Sequence, residues 1–209
     1  MRLSDLWKVP EGVGSNNKEN ICIATNSPPQ VIQAYANQFH SDFSTFLGLR
    51  AEEIKSGGRM VLAFIGSGFT DSSPKDDHIP FQVIAEALSD MVAKGRVKKE
   101  DLYSFNMSFY TPSLQEVEAI IGGEGSFNLD KMEVIMVPWD GHKEDDDNVF
   151  DEKIVADCIR AIMEPMLVFH FGKSIIDDVF DIYAKKIRKY FSKERSFYNF
   201  TPVISLYKK

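Results

Sequence analysis

SPPQVIQAYANQFHSDFSTFLGLRAEEIKSGGRMVLAFIG, residues 27–66, is the stretch on which the fold turns. Ser27 followed by Gln30 reads as a capping box, with Pro28 at the first helical position, where its missing N–H costs nothing. Val31, Tyr35, Phe39, Phe43, Phe46, Leu47 and Ile54 recur at three- and four-residue spacing, which predicts a long helix with one apolar face. Gly57 and Gly58 are expected to stop it, because glycine takes the left-handed conformation that helix ends favour. Met60 to Ile65 form an unbroken apolar run too short for another helix. Such a run fits a strand buried on both faces, as in a parallel sheet with helices on each side. A long helix feeding a buried strand is a piece of an α/β layer fold.

Outward from this stretch the pattern stays mixed. Residues 1–26 are turn-rich and read as a connecting segment, with a short strand or helical turn near Ile21 to Ala24. Phe81, Ile84, Ala85, Leu88, Met91 and Val92 share one helical face, closed by Gly95. Ser113 and Glu116 form a second capping box, whose helix is expected to end at Gly122-Gly123. Phe127 to Trp139 reads as a strand, and residues 140–152 as an acidic surface loop. Val155, Cys158, Ile159, Ile162 and Met166 return to helical spacing; Pro165 should bend or interrupt that helix, and Gly172 should close it. Residues 175–191 predict a further amphipathic helix, and the tail a last strand.

The totals narrow the classes. The 209 residues are 44% hydrophobic and 26% charged, ordinary for a globular chain. A net charge of -7 argues against nucleic acid as a partner, since phosphate binding needs a basic surface. No segment approaches the roughly 20 apolar residues that span a bilayer. Met1 is not followed by an apolar signal core, and Cys22 and Cys158 lack metal-type spacing. These features predict a cytoplasmic protein with free thiols and no membrane or nucleic-acid partner. The 16 Phe among its aromatics suit either a large core or an apolar small-molecule cavity.

The chemistry-bearing residues give no reaction by themselves. His40, His78, His142 and His170 have no HExxH-type spacing, and His170 between Phe169 and Phe171 reads as a core or cap histidine. Neither a GxSxG elbow nor a GxxxxGK[ST] loop occurs. The carboxylates form no evident acid/base pair.

Several runs together go further. Residues 27–66 resemble, almost position by position, a stretch of the plant SABATH methyltransferases, which include salicylate and jasmonate carboxyl methyltransferases and caffeine-pathway N-methyltransferases. VPEGV (9–13), SFNMSFYTPS (104–113), GSF (125–127), IRAIMEPMLVFHFG (159–172), IIDDVFDIY (175–183) and VISLYKK (203–209) match in order and spacing. The resemblance implies an α/β fold: part of a class I, Rossmann-like methyltransferase sheet with a helical cap, residues 27–209, the cap mainly at 78–122 and 150–193. It implies S-adenosylmethionine as cofactor and a small-molecule carboxylic acid as acceptor, of salicylate or jasmonate type rather than a xanthine. An ionised carboxylate needs no general base at pH 7, its pKa being near 4. It further implies a homodimer, or a heterodimer with a full-length relative.

Residue by residue, the resemblance assigns acceptor-pocket positions to Ile65, Phe81, Tyr110, Ile159, Ile162 and Phe197. Phe81 stands where the carboxyl methyltransferases usually carry Trp, so the indole N–H donor is lost. A magnesium site of the family falls on Asn17, the backbone carbonyl of Phe105, and Asn106. There the usual NKG reads NKE, with Glu19, and the acidic ligand position holds Tyr103. No catalytic and no cofactor-binding residue is assigned. The family's cofactor-binding half precedes the segment that Val9 matches, so the chain is expected to be a truncated, C-terminal portion of such an enzyme, or a non-catalytic truncated paralogue.

Overall fold

A computed structural model describes residues 9–67, 78–138, 152–190 and 198–209. Residues 9–26 open with a single helical turn, α1 (Val13–Asn16). Val13 and the run Ile21, Cys22, Ile23 and Ala24 that follows are buried. Helix α2 (Pro29–Glu53) comes next, with Val31, Tyr35 and Leu47 buried and Phe39, Phe43, Phe46 and Ile54 packed at the margins. The apolar face is thus where the spacing puts it, but both ends of the helix differ from expectation. Pro29, not Pro28, occupies the first helical position, and no side chain caps it. The Ser27 hydroxyl turns back instead, donating to Asn17 Oδ1 at 2.7 Å and accepting from the Ala24 amide at 2.9 Å. The far end is capped at Ile54. Gly57 and Gly58 lie beyond it, pairing with Lys208 as the chain turns into the sheet. Gly57 is left-handed there (φ +76), and a side chain on Gly58 would meet Ile54 and the Lys55 carbonyl.

Strand β1 (Arg59–Ala63) corrects the expectation of a strand buried on both faces in a parallel sheet. It pairs antiparallel with β3 (Tyr198–Lys208), and its residues alternate, with Val61 67% exposed. Helices α3 (Ile79–Ala93), α4 (Lys99–Ser104) and α5 (Leu114–Glu124) precede β2 (Phe127–Pro138), which pairs antiparallel with the other edge of β3. The order is β1-β3-β2. Helices α2 and α5 cover one face, where Leu47, Val117, Ile120 and Ile121 meet Ile204 and Leu206. Each such fully buried aliphatic side chain contributes about 1.5–3 kcal/mol. The opposite face carries Val61, Ala63, Val203, Ile135 and Val137, since register places these on one side of the sheet.

The capping box on α5 is present in both directions: Ser113 accepts from the Glu116 amide, and Glu116 accepts from the Ser113 amide. The helix runs through Gly122 and Gly123 and ends at left-handed Gly125, slightly later than the sequence suggests.

The remaining layer is a helical bundle of α3, α6 (Glu152–Phe171) and α7 (Ile176–Tyr190), closed at one end by α4. Pro165 does not interrupt α6. It lies on an exposed flank with Ala161, so the carbonyl it frees can face water. The buried face of α6 is also rotated from the expected one. Val155, Ala156, Ile159, Met163 and Leu167 are buried, whereas Cys158, Ile162 and Met166 face outward with Ile154 and Phe169. Polar contacts stitch α7 to α3: Lys186 pairs with Asp90 at 3.1 Å, and the Tyr190 hydroxyl donates to Glu86. That bond pushes the Tyr190 phenol up to about 12. No helix among the described residues is long and apolar enough to cross a membrane. The acidic run up to Asp151 lies outside the described residues, as does Phe197. Replacing Ser113 by Ala removes the reciprocal cap of α5 and is expected to lower unfolding free energy by about 1 kcal/mol, read from urea denaturation.

Candidate functional site

Three segments converge beyond the end of β1. The first is Ile65-Gly66-Ser67. The Gly66 amide donates to the Phe200 carbonyl at 2.8 Å, and the Ser67 amide to the Pro112 carbonyl at 2.8 Å. A Cβ on Gly66 would sit 2.7 Å from the Pro202 ring and 3.1 Å from the Pro112 carbonyl, so only glycine allows this approach. It sets half-buried Ile65 beside the second segment, residues 105–113.

That second segment has no regular structure, and neighbours bond part of its backbone. The Met107 amide donates to the Ile21 carbonyl at 2.6 Å, and the buried Tyr35 hydroxyl donates to the Met107 carbonyl at 2.7 Å. Burial pushes the Tyr35 phenol far above its ordinary range, so it stays a donor. Tyr110 packs on Phe39 and donates its hydroxyl to Glu116 at 2.5 Å.

The third segment is the start of α3. Phe81 is 2% exposed and meets Phe109 at 4.6 Å between ring centroids; Phe109 also lies against His78 at 5.4 Å. His78 is itself a clamp. Its Nδ1 lies 2.8 Å from the Ile23 carbonyl and its Nε2 2.8 Å from the Thr111 hydroxyl. A carbonyl only accepts, so Nδ1 carries the proton and Nε2 accepts from Thr111. Burial lowers the His78 pKa below 6.5, outweighing the pull of the Ile23 bond, so the ring is neutral near pH 7.

The pocket positions implied by the resemblance are therefore placed unequally. Phe81 and Ile159 belong to one buried cluster, with Ile159 fully enclosed. Ile65 and Tyr110 lie on segments joined through Gly66, Ser67 and Pro112. Ile162 is 49% exposed on the outer flank of α6. Phe109, His78 and Thr111 tie these segments together and carry no signal of that role in the sequence, because their partners are far apart in the chain.

The donor set at the implied magnesium site does not fit that ion. Asn17 is buried and its amide is used: Nδ2 donates to the Cys22 carbonyl at 2.9 Å, and Oδ1 accepts from Ser27 and from Asn20 at 3.4 Å. Asn106 Oδ1 is buried without a hydrogen-bond partner, and offers one neutral oxygen. Tyr103 brings no carboxylate. Magnesium requires near-octahedral oxygen coordination and is usually held by carboxylates. Among the described residues no group of three or more His, Cys, Asp and Glu could hold a metal ion.

Among the described residues, this junction is built mainly of aromatic and aliphatic side chains, a lining that suits binding and alignment. The comparisons with known proteins agree in kind. The family model described as SAM dependent carboxyl methyltransferase matches residues 3–209, and the chain belongs to that family. It is 42% identical over 210 residues to a probable methyltransferase of Theobroma cacao, covering 97% of this chain and 55% of that protein. Salicylate carboxymethyltransferase of Clarkia breweri is 42% identical over 195 residues, 91% of this chain and 54% of the relative. Among solved structures, a loganic acid methyltransferase with SAH superposes with a TM-score of 0.85 at 30% identity, over 99% of this chain and 59% of the other. The α/β methyltransferase fold is thereby shown, and the chain spans little more than half the length of these relatives.

The His78 clamp sets a pH dependence. Below pH 6.5 the unfolded chain binds a proton that the folded ring resists, so folding stability falls as pH drops through that window. Denaturation midpoints at pH 7.5 and 5.5 should differ more for the native chain than for His78→Gln.

Proposed function

We propose that this chain is the acceptor-side portion of an S-adenosylmethionine-dependent O-methyltransferase that forms methyl esters of small carboxylic acids, of salicylate or jasmonate type. The observation that carries this reading is the family match over residues 3–209. S-adenosylmethionine, when bound, supplies an electrophilic methyl group; on this reading its contacts lie in the share of the relatives' length that this chain does not match. The acceptor carboxylate, ionised at neutral pH, is the nucleophile. The residues of this chain then orient the acid and keep water from it, which supplies rate through alignment.

Within the proposal, Ile65, Phe81, Tyr110, Ile159, Ile162 and Phe197 keep the acceptor-side roles that the family resemblance assigns, and Phe109 packs against Phe81. The Tyr110 hydroxyl is already donated to Glu116 and Phe81 has no donor, so neither side chain as placed offers a free N–H or O–H to the acid. A cytoplasmic location belongs to the same reading. A second reading is favoured by the exposed sheet face of Val61, Ile135 and Val137. On it, the 209-residue chain alone turns nothing over and associates with a second copy or with a full-length relative.

The test joins this chain in frame behind the unmatched preceding half of the Clarkia breweri enzyme and measures methyl transfer to salicylate, jasmonate and a xanthine. Methyl esters from the acids are expected. Transfer to the xanthine alone would reject the carboxyl assignment, and a folded chimera inert on all three would support the non-catalytic reading.

A further inference from the structure

We propose that the turn at residues 17–20 is held onto α4 by an internal latch, the Glu19 carboxylate on the Tyr103 hydroxyl, and that this closure takes no divalent cation. Three observations carry the proposal.

The first is backbone strain. Glu19 has φ +70, the only non-glycine residue at positive φ among the described residues. A side chain with a Cβ is held there only when its surroundings over-determine it. The second is what holds it. Tyr103 Oη donates to Glu19 Oε1 at 3.1 Å, across 84 positions of sequence. Lys99, one turn earlier on α4, places its ammonium 5.2 Å from the centre of the Tyr103 ring. Carboxylate, phenol and ammonium thus form a charge-balanced group spanning the turn and the helix.

The third observation is the state of the neighbouring oxygens. Asn17 Oδ1 already accepts from Ser27 and Asn20, and its Nδ2 is spent on the Cys22 carbonyl. A cation would have to displace these bonds to gain a neutral ligand. Asn106 Oδ1 is free but also neutral. The Glu19 carboxylate accepts from Tyr103, and Glu100 on α4 also lies near Lys99. Hard divalent cations favour carboxylate and water oxygens over such a set. Glu19 and Tyr103 act together, each supplying one half of the same hydrogen bond. The Met107–Ile21 backbone bond fastens the segment that follows the turn to the same neighbourhood.

The test uses the full 209-residue chain, dialysed against EDTA and titrated with MgCl2 by calorimetry. No saturable heat is expected, and melting curves should match those in NaCl of equal ionic strength. A saturable magnesium signal overturns the proposal. Hydrogen exchange then reads the latch itself. Tyr103→Phe keeps the ring and removes the donor; amides of residues 17–27 should exchange several-fold faster while those of α5 and β2 stay unchanged. Glu19→Ala, at an exposed side chain, should give the same pattern, whereas Glu19→Gln keeps an acceptor oxygen and should exchange close to the native chain. Native-like exchange in both Tyr103→Phe and Glu19→Ala overturns the latch. None of these readouts depends on methyl transfer, so their outcome is separate from that of the functional proposal.

Discussion

Strand β3 is the constraint on which the structure depends. It lies between β1 and β2 and is antiparallel to both, so the ladder closes only when the last residues of the chain arrive. Its Ile204 and Leu206 complete the core that α2 and α5 bring to one face. Long-range pairing of this kind carries the full loop-closure cost before any contact repays it. The Gly57-Gly58 turn serves the same end, because both glycines bond to Lys208 and fix the register of β1 against the C-terminal strand.

The site inherits its geometry from that sheet. β1 delivers Ile65 and Gly66 to the Phe200 carbonyl, and the glycine lets residues 110–112 lie against them. From there side chains tie the helices to the irregular segments: Tyr35 of α2 to the Met107 carbonyl, His78 at the start of α3 to Ile23 and Thr111, Tyr110 to Glu116 of α5. A segment without secondary structure stays in place when neighbouring groups bond its backbone, as Ile21 and Tyr35 do at Met107 and Ser67 does at Pro112. The neutral, buried His78 joins three segments at once. That explains why a histidine without metal-type spacing is central to the arrangement.

Membership of the SAM dependent carboxyl methyltransferase family agrees with the aromatic and aliphatic side chains gathered at this junction. The sheet face bearing Val61, Ile135 and Val137 and the α6 flank bearing Ile162 and Phe169 are the large apolar surfaces left open among the described residues. The curated relatives are nearly twice as long as the part they share with this chain. Ile162 lies on a surface, while Phe81 and Ile159 lie within a core.

What the residue pattern determined by itself is local. The apolar spacing of residues 31–54 placed the inner face of α2, the Ser113–Glu116 pair marked the start of α5, and the spacing in 175–191 located α7, because these signals act over one or two helical turns. The runs shared with the methyltransferases fixed the family. Tertiary structure decided the rest. Ser27 left its helix for Asn17, since a buried amide oxygen needs a donor more than an exposed helix end does. Met60 to Ala63 became part of an alternating edge strand of an antiparallel sheet, as helices cover only one of its faces. The face that α6 buries turned toward Ala156, Met163 and Leu167, because α7 packs there, and no periodicity could choose between two adjoining apolar stripes.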